Sequence, residues 1–170
     1  SWAVLGEPGP ARAVADWTIE HLQTEAGAFR DGPAGGPGLL DEALYPLDTA
    51  VECADALLDL ALLTGDRRYH EAARRGIESF AGAADRMGVE VAHYATVAAR
   101  IQHPAAVEVG APAGSALHRA ALRLADHETV VVPAAHERGA DETVAGESAG
   151  AVTGGEARLV TDGAVEGRAD

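Results

Sequence analysis

The chain has 170 residues, of which 47% are hydrophobic and only 4% aromatic, enough for one domain with a core of Ala, Leu and Val. Its 27 acidic residues outweigh 13 basic ones for a formal net charge of −14, with a pI near 4.7, and that balance excludes a nucleic-acid partner, which needs clustered Lys or Arg. No run approaches the roughly eighteen apolar residues of a membrane span, so no membrane partner is expected, and the lone Cys53 supports neither a disulfide framework nor a cysteine zinc site.

Every basic residue is Arg, and Lys is absent. An acidic, Lys-free, Ala-rich and Gly-rich chain is expected of a halophilic, cytoplasmic protein, because molar salt shortens the reach of self-repulsion to a few ångströms. A GC-rich genome gives the same bias towards Arg, Ala and Gly. The chain opens on Ser1 in mid-pattern, which reads as a piece of a longer protein.

From Ala11 to Thr24, Val14, Trp17, His21 and Leu22 fall on one helical stripe, with Pro10 suited to start the helix. The stretch from Gly27 to Gly38 is too rich in Gly and Pro for a helix or a central strand and reads as a loop. After Pro46, Val51, Ala54, Leu58, Ala61 and Leu62 trace a helical face that stops at Thr64-Gly65-Asp66. There Gly65 can end one helix and Asp66 can cap the next, which carries Tyr69, Ala73, Ile77, Phe80 and Ala84. So short a turn predicts an antiparallel αα-hairpin. A further helix is expected from about Val89 to Ile101, with Val91, Tyr94, Ala95, Ala98 and Ile101 facing inward.

The period then changes. Ala106, Val107 and Val109 read as a strand, Ser115 as the cap of a helix bearing Leu117, Ala121 and Leu124, and Thr129 to Val132 as a buried strand, together a βαβ unit with a parallel pair. Residues 134–155 form an acidic loop expected to be solvated. Ala157 to Thr161, Asp162-Gly163 and Ala164-Val165 then give a hairpin signal.

The stretch PLDTAVECADALLDLALLTGDRRYHEAARRGIESFAGAADRMG, with the later HPAAVEVG and ETVVVP, resembles the C-terminal region of the thioredoxin-domain-containing family of spermatogenesis-associated protein 20 and its microbial relatives. The resemblance runs from about Ala11 to Asp170. It implies a mainly α fold: residues 1–103 as αα-hairpins from the end of an (α/α)6 toroid like that of six-hairpin glycosidases, and residues 104–170 as a small α/β tail. It also implies an N-terminal thioredoxin-like domain elsewhere in the same polypeptide, and a carbohydrate or small-molecule ligand. The family pattern is altered where Phe29-Arg30-Asp31 replaces an aromatic-Asp loop and where Leu47-Asp48-Thr49 replaces small polar residues.

In such a toroid the pocket is lined by loops and the first turns of inner helices. That assigns Asp31, Asp41 and Asp48 as candidate catalytic carboxylates, acid and base on a sugar. Phe29, Arg30, Glu52 and Tyr94 become candidate substrate-binding residues, with Glu42 alongside. Asp48 is equally explained as a first-turn acid favoured by the helix dipole. The seven histidines are scattered without a metal-ligand spacing, so neither a metal nor a cofactor is expected. His93 can face the barrel interior as a base, whereas His118 and His127 read as surface residues. Gly110 to Ser115 opens a helix after a strand and can hold an anion, but it lacks the full dinucleotide and P-loop patterns, and an ordinary βα turn fits better. Asp141, Glu142 and Glu147 lack calcium-loop spacing. A non-enzymatic helical-repeat module that binds a protein is the second functional expectation.

Overall fold

The computed structural model describes residues 8–33, 35, 42–86, 88, 91–134, 155–161 and 164–169. Asp41, the body of the acidic loop and the Asp162-Gly163 turn lie outside the described residues. Among these described residues five helices and four strands follow one another as α1 (Pro8–Leu22), α2 (Leu47–Thr64), α3 (Arg67–Glu78), a 3-10 turn (Ala81–Arg86), α4 (Val91–Gln102), β1 (Ala105–Val109), α5 (Ala116–Leu124), β2 (Thr129–Pro133), β3 (Ala157–Thr161) and β4 (Ala164–Ala169). The result is mainly helical with a small α/β part.

The sequence forms α2 where expected because a long run of Ala and Leu is bounded by Pro46 in an extended conformation and by Gly65 at φ 72°. Gly65 donates its N–H to the Ala61 carbonyl at 2.7 Å, and only a residue at ease in the left-handed region closes a helix in this way. Asp66 then caps α3 by accepting from the Arg68 amide. A turn of two residues folds α3 back along α2, giving the predicted hairpin. Helix α2 is the central element: Ala50, Ala54 and Leu58 meet the helical core, while Leu62 and Leu63 near its end meet the sheet.

Helix α1 corrects one expectation. Val14 and Trp17 are exposed (61% and 46%) and His21 is exposed beside them, while Ala11, Ala15, Ile19 and Leu22 pack inward. Of the stripe read from the sequence, Leu22 meets the core while Val14, Trp17 and His21 point away from it. Helix α4 packs Tyr94, Ala98 and Ile101 on the core as expected, with Val97 and Arg100 buried beside them, while Ala95 is exposed.

The sheet order is β2-β1-β3-β4. Strands β1 and β2 are parallel, as the βαβ reading requires, and β3 joins β1 antiparallel and pairs with β4 as the expected hairpin. Residues alternate between faces. One face sends Ala106, Val130 and Val132 towards Leu62 and Leu63 of α2, and the other sends Val109 and Val131 towards Ala121 of α5.

Candidate functional site

The residues assigned to a sugar pocket are placed by the structure in three separate roles. Phe29 is wholly buried and its ring lies against Gly76, where an added Cβ would sit 2.7 Å from Phe29 Cε2. The loop that carries it folds back on α3. Gln23 donates through Nε2 to the Gly27 and Ala72 carbonyls at 3.0 and 2.8 Å, and Arg75 donates to the Thr24 and Glu25 carbonyls at 3.1 and 2.9 Å. Gly27 sits at φ 97°, and a side chain there would come within 2.4 Å of the Arg75 carbonyl oxygen. Phe29 is therefore a core anchor held by a tight hook.

Asp31 is exposed and tied to the strand of chain before α2. Its carboxylate accepts from the Leu44 amide at 3.3 Å, and its amide donates to the Leu44 carbonyl at 3.1 Å. Arg30, half-buried, donates its backbone amide to Leu22 at 3.0 Å. Asp48 stands exposed in the first turn of α2, the position where the helix dipole favours an acid. Glu52 and His93 approach to 3.6 Å across α2 and α4 with both side chains largely exposed. Tyr94 packs against the helical core and donates its hydroxyl to the Ile77 carbonyl at 3.1 Å, tying α4 to the end of α3.

Sequence reasoning missed the strongest polar constellation of the helical part. Arg100, 7% exposed, reaches from α4 to both Asp55 and Asp59 of α2, the latter at 2.7 Å. Asp55 and Asp59 are one turn apart, so they share a face, and this spacing was the only signal available. Burial pushes the Asp59 carboxyl up, and the hydrogen bond from Arg100 pulls against it. Burial alone would lower Arg100, but the two carboxylates hold it firmly protonated. A second network joins α1 to α3, where the buried Tyr69 donates to Asp16 Oδ1 at 3.0 Å. Burial, with that carboxylate second, pushes the phenol up to about 12.

The α/β part carries its own buried polar groups. Glu108 and Arg158 are directly opposed on β1 and β3, form an ion pair, and are 7% and 8% exposed. His118, expected at the surface, is 4% exposed. Its Nδ1 accepts from the Gly114 amide at 3.1 Å, and burial, then the nearby Arg119 charge, holds the imidazole below its ordinary range. Ser115 caps α5 by accepting from the His118 amide at 3.2 Å. The Gly110 amide goes to the Glu156 carbonyl at 2.7 Å and the Ser115 amide to Pro112 at 3.1 Å. Three amides of the suspected anion loop, those of Gly110, Gly114 and Ser115, are thus engaged within the chain, which is how an ordinary βα turn satisfies itself. His127 is exposed, as expected.

These arrangements are pins between elements. Asp55 and Asp59 do form a carboxylate pair, but both bind Arg100. Among the described residues no group of His, Cys, Asp and Glu is arranged to hold a metal ion, and no helix is long and apolar enough to cross a membrane. No family model, curated protein or solved structure matches the chain.

Proposed function

We propose that this chain works by contact, as the C-terminal portion of a thioredoxin-domain-containing, six-hairpin glycosidase-like protein in which carbohydrate chemistry needs residues outside these 170. The observation that carries the reading is α1. It buries Ala15, packs inward through Ala11, Ala15, Ile19 and Leu22, and turns Val14 and Trp17 outward at 61% and 46% exposure. Two apolar sides on one helix suit an element sandwiched between neighbours. Trp17 is further fixed for contact, its indole stacked on His21 at 4.8 Å and that imidazole donating to the Trp17 carbonyl at 2.9 Å. In this reading the outward stripe meets the preceding helical hairpin of the full-length protein.

The same exposed stripe supports a second reading, a helical-repeat module whose α1 face binds a separate protein. An upstream thioredoxin-like segment with further long helices favours the first reading, and tandem hairpins of constant length favour the second. Both expect the isolated chain to hydrolyse none of a panel of aryl α- and β-glycosides. Turnover that is lost in Asp31→Asn and Asp48→Asn variants overturns both and restores the catalytic assignment of those carboxylates.

A further inference from the structure

Helix α5 packs over β1 and β2, while β3 lies on the other side of β1. Ala157 and Leu159 of β3 stand opposite Val109 and Val107, and residues opposed in an antiparallel pair share a face. Those β3 side chains therefore point to the side that α5 occupies. A trough of about 500 Å³ runs between them, lined by Val107, Leu117, Ala120, Leu124 and Leu159 among others. Its size falls within the roughly 300–1,000 Å³ of small-molecule sites. It exists because Ala120, Ala121, Ala125 and Ala157 line it, where Leu or Val would fill the space between helix and sheet.

The polar residues of the lining are Asp126, Thr129 and Arg158. Asp126 follows the C-terminus of α5, where the helix dipole favours a cation. The Thr129 side chain, with backbone amides beside it, holds the exposed Asp126 carboxyl below its usual range. Of the basic groups nearby, Arg158 binds Glu108 through its guanidinium, His127 lies 3.7 Å from Glu128, and Arg123 is exposed on α5. An apolar body and a positive end are what this surface complements.

We propose that the trough between α5 and β3 binds a small amphipathic cation, an aliphatic or aromatic amine whose apolar body lies against Val107, Leu117 and Leu159 and whose ammonium meets Asp126. The test is titration of the isotope-labelled chain with hexylammonium, hexanol and hexanoate, followed by amide chemical shifts. The expected result is saturable change confined to α5, β3 and the Asp126 turn, with the ammonium about threefold tighter than the alcohol, the size of an exposed charge pair, and hexanoate weakest. Ala120→Leu and Ala157→Leu should each remove binding of all three probes, with folding checked by circular dichroism. Asp126→Asn, a surface change that leaves the trough intact, should bring the ammonium down to the level of the alcohol. Absence of saturation by any probe, hexanoate binding as well as the ammonium, binding that survives both filling substitutions, or an ammonium advantage that survives Asp126→Asn would each overturn the proposal.

Discussion

The helical layer and the α/β part are held together by different means. In the helical layer the large fully buried side chains Phe29, Leu58 and Tyr69 sit among alanines, and among the described residues there buried charge is confined to Arg100, whose carboxylates reach the surface at 30% and 39% exposure. In the α/β part the apolar core is mostly valine and alanine, and Glu108, His118, Glu156 and Arg158 are all buried with it. A layer that can interlock large side chains tolerates few buried charges, whereas a thin valine core needs its polar groups paired internally to stay dry. Changes of volume should therefore strike the helical layer hardest, whereas within the α/β part changes of charge should outweigh changes of volume.

The largest expected effect is that of Phe29→Ala, which leaves a cavity against Gly76 and unlatches the hook on α3. Chemical denaturation should show a loss of about 4 kcal/mol. Arg100→Ala leaves two carboxylates facing α4 without their cation, and their partial exposure places the cost near the low end for a broken buried pair, about 3 kcal/mol. In the α/β part Glu108→Gln keeps the shape and removes only charge from the partner of Arg158, with an expected loss of about 2 kcal/mol. If Glu108→Gln proves neutral while Val132→Ala is costly, the proposed contrast between the two parts is wrong. Asp66→Ala removes the cap of α3 for about 1 kcal/mol. The hydrogen bond from Arg68 lowers the Asp66 carboxyl, so its contribution is present above the unfolded Asp value of about 3.9 and is lost as pH falls through the lower folded value. Asp66→Asn should flatten that part of the acid unfolding curve while keeping a capping oxygen.

The α2–α3 hairpin was legible because Thr64-Gly65-Asp66 states a stop and a start in three residues, each by a local rule. The parallel β1–β2 pair was legible for a similar reason, a strand, a capped helix and a valine run in order. Helix α1 was legible as a helix but not in its orientation, since periodicity shows that Val14 and Trp17 share a side without saying what that side meets. Phe29 stood in a stretch that composition marks as loop, and its burial depends on Gln23 and Arg75 reaching back to α3. Arg100 was invisible because its partners lie 45 and 41 residues away. His118 was misread because its burial follows from the Gly114 amide that its ring accepts, a contact made only once the βα turn has formed.

The central claim is that the outward face of α1 is a contact surface, and Trp17 reports on it directly. With 5-fluorotryptophan in place of tryptophan and the Trp17 resonance assigned by Trp17→Phe, a soluble paramagnetic quencher can be applied to this chain and to the full-length protein. The account predicts strong broadening in the isolated chain and protection in the full-length protein. Equal broadening in both would contradict it, leaving the α1 face bare in the whole molecule and open at most to a separate partner.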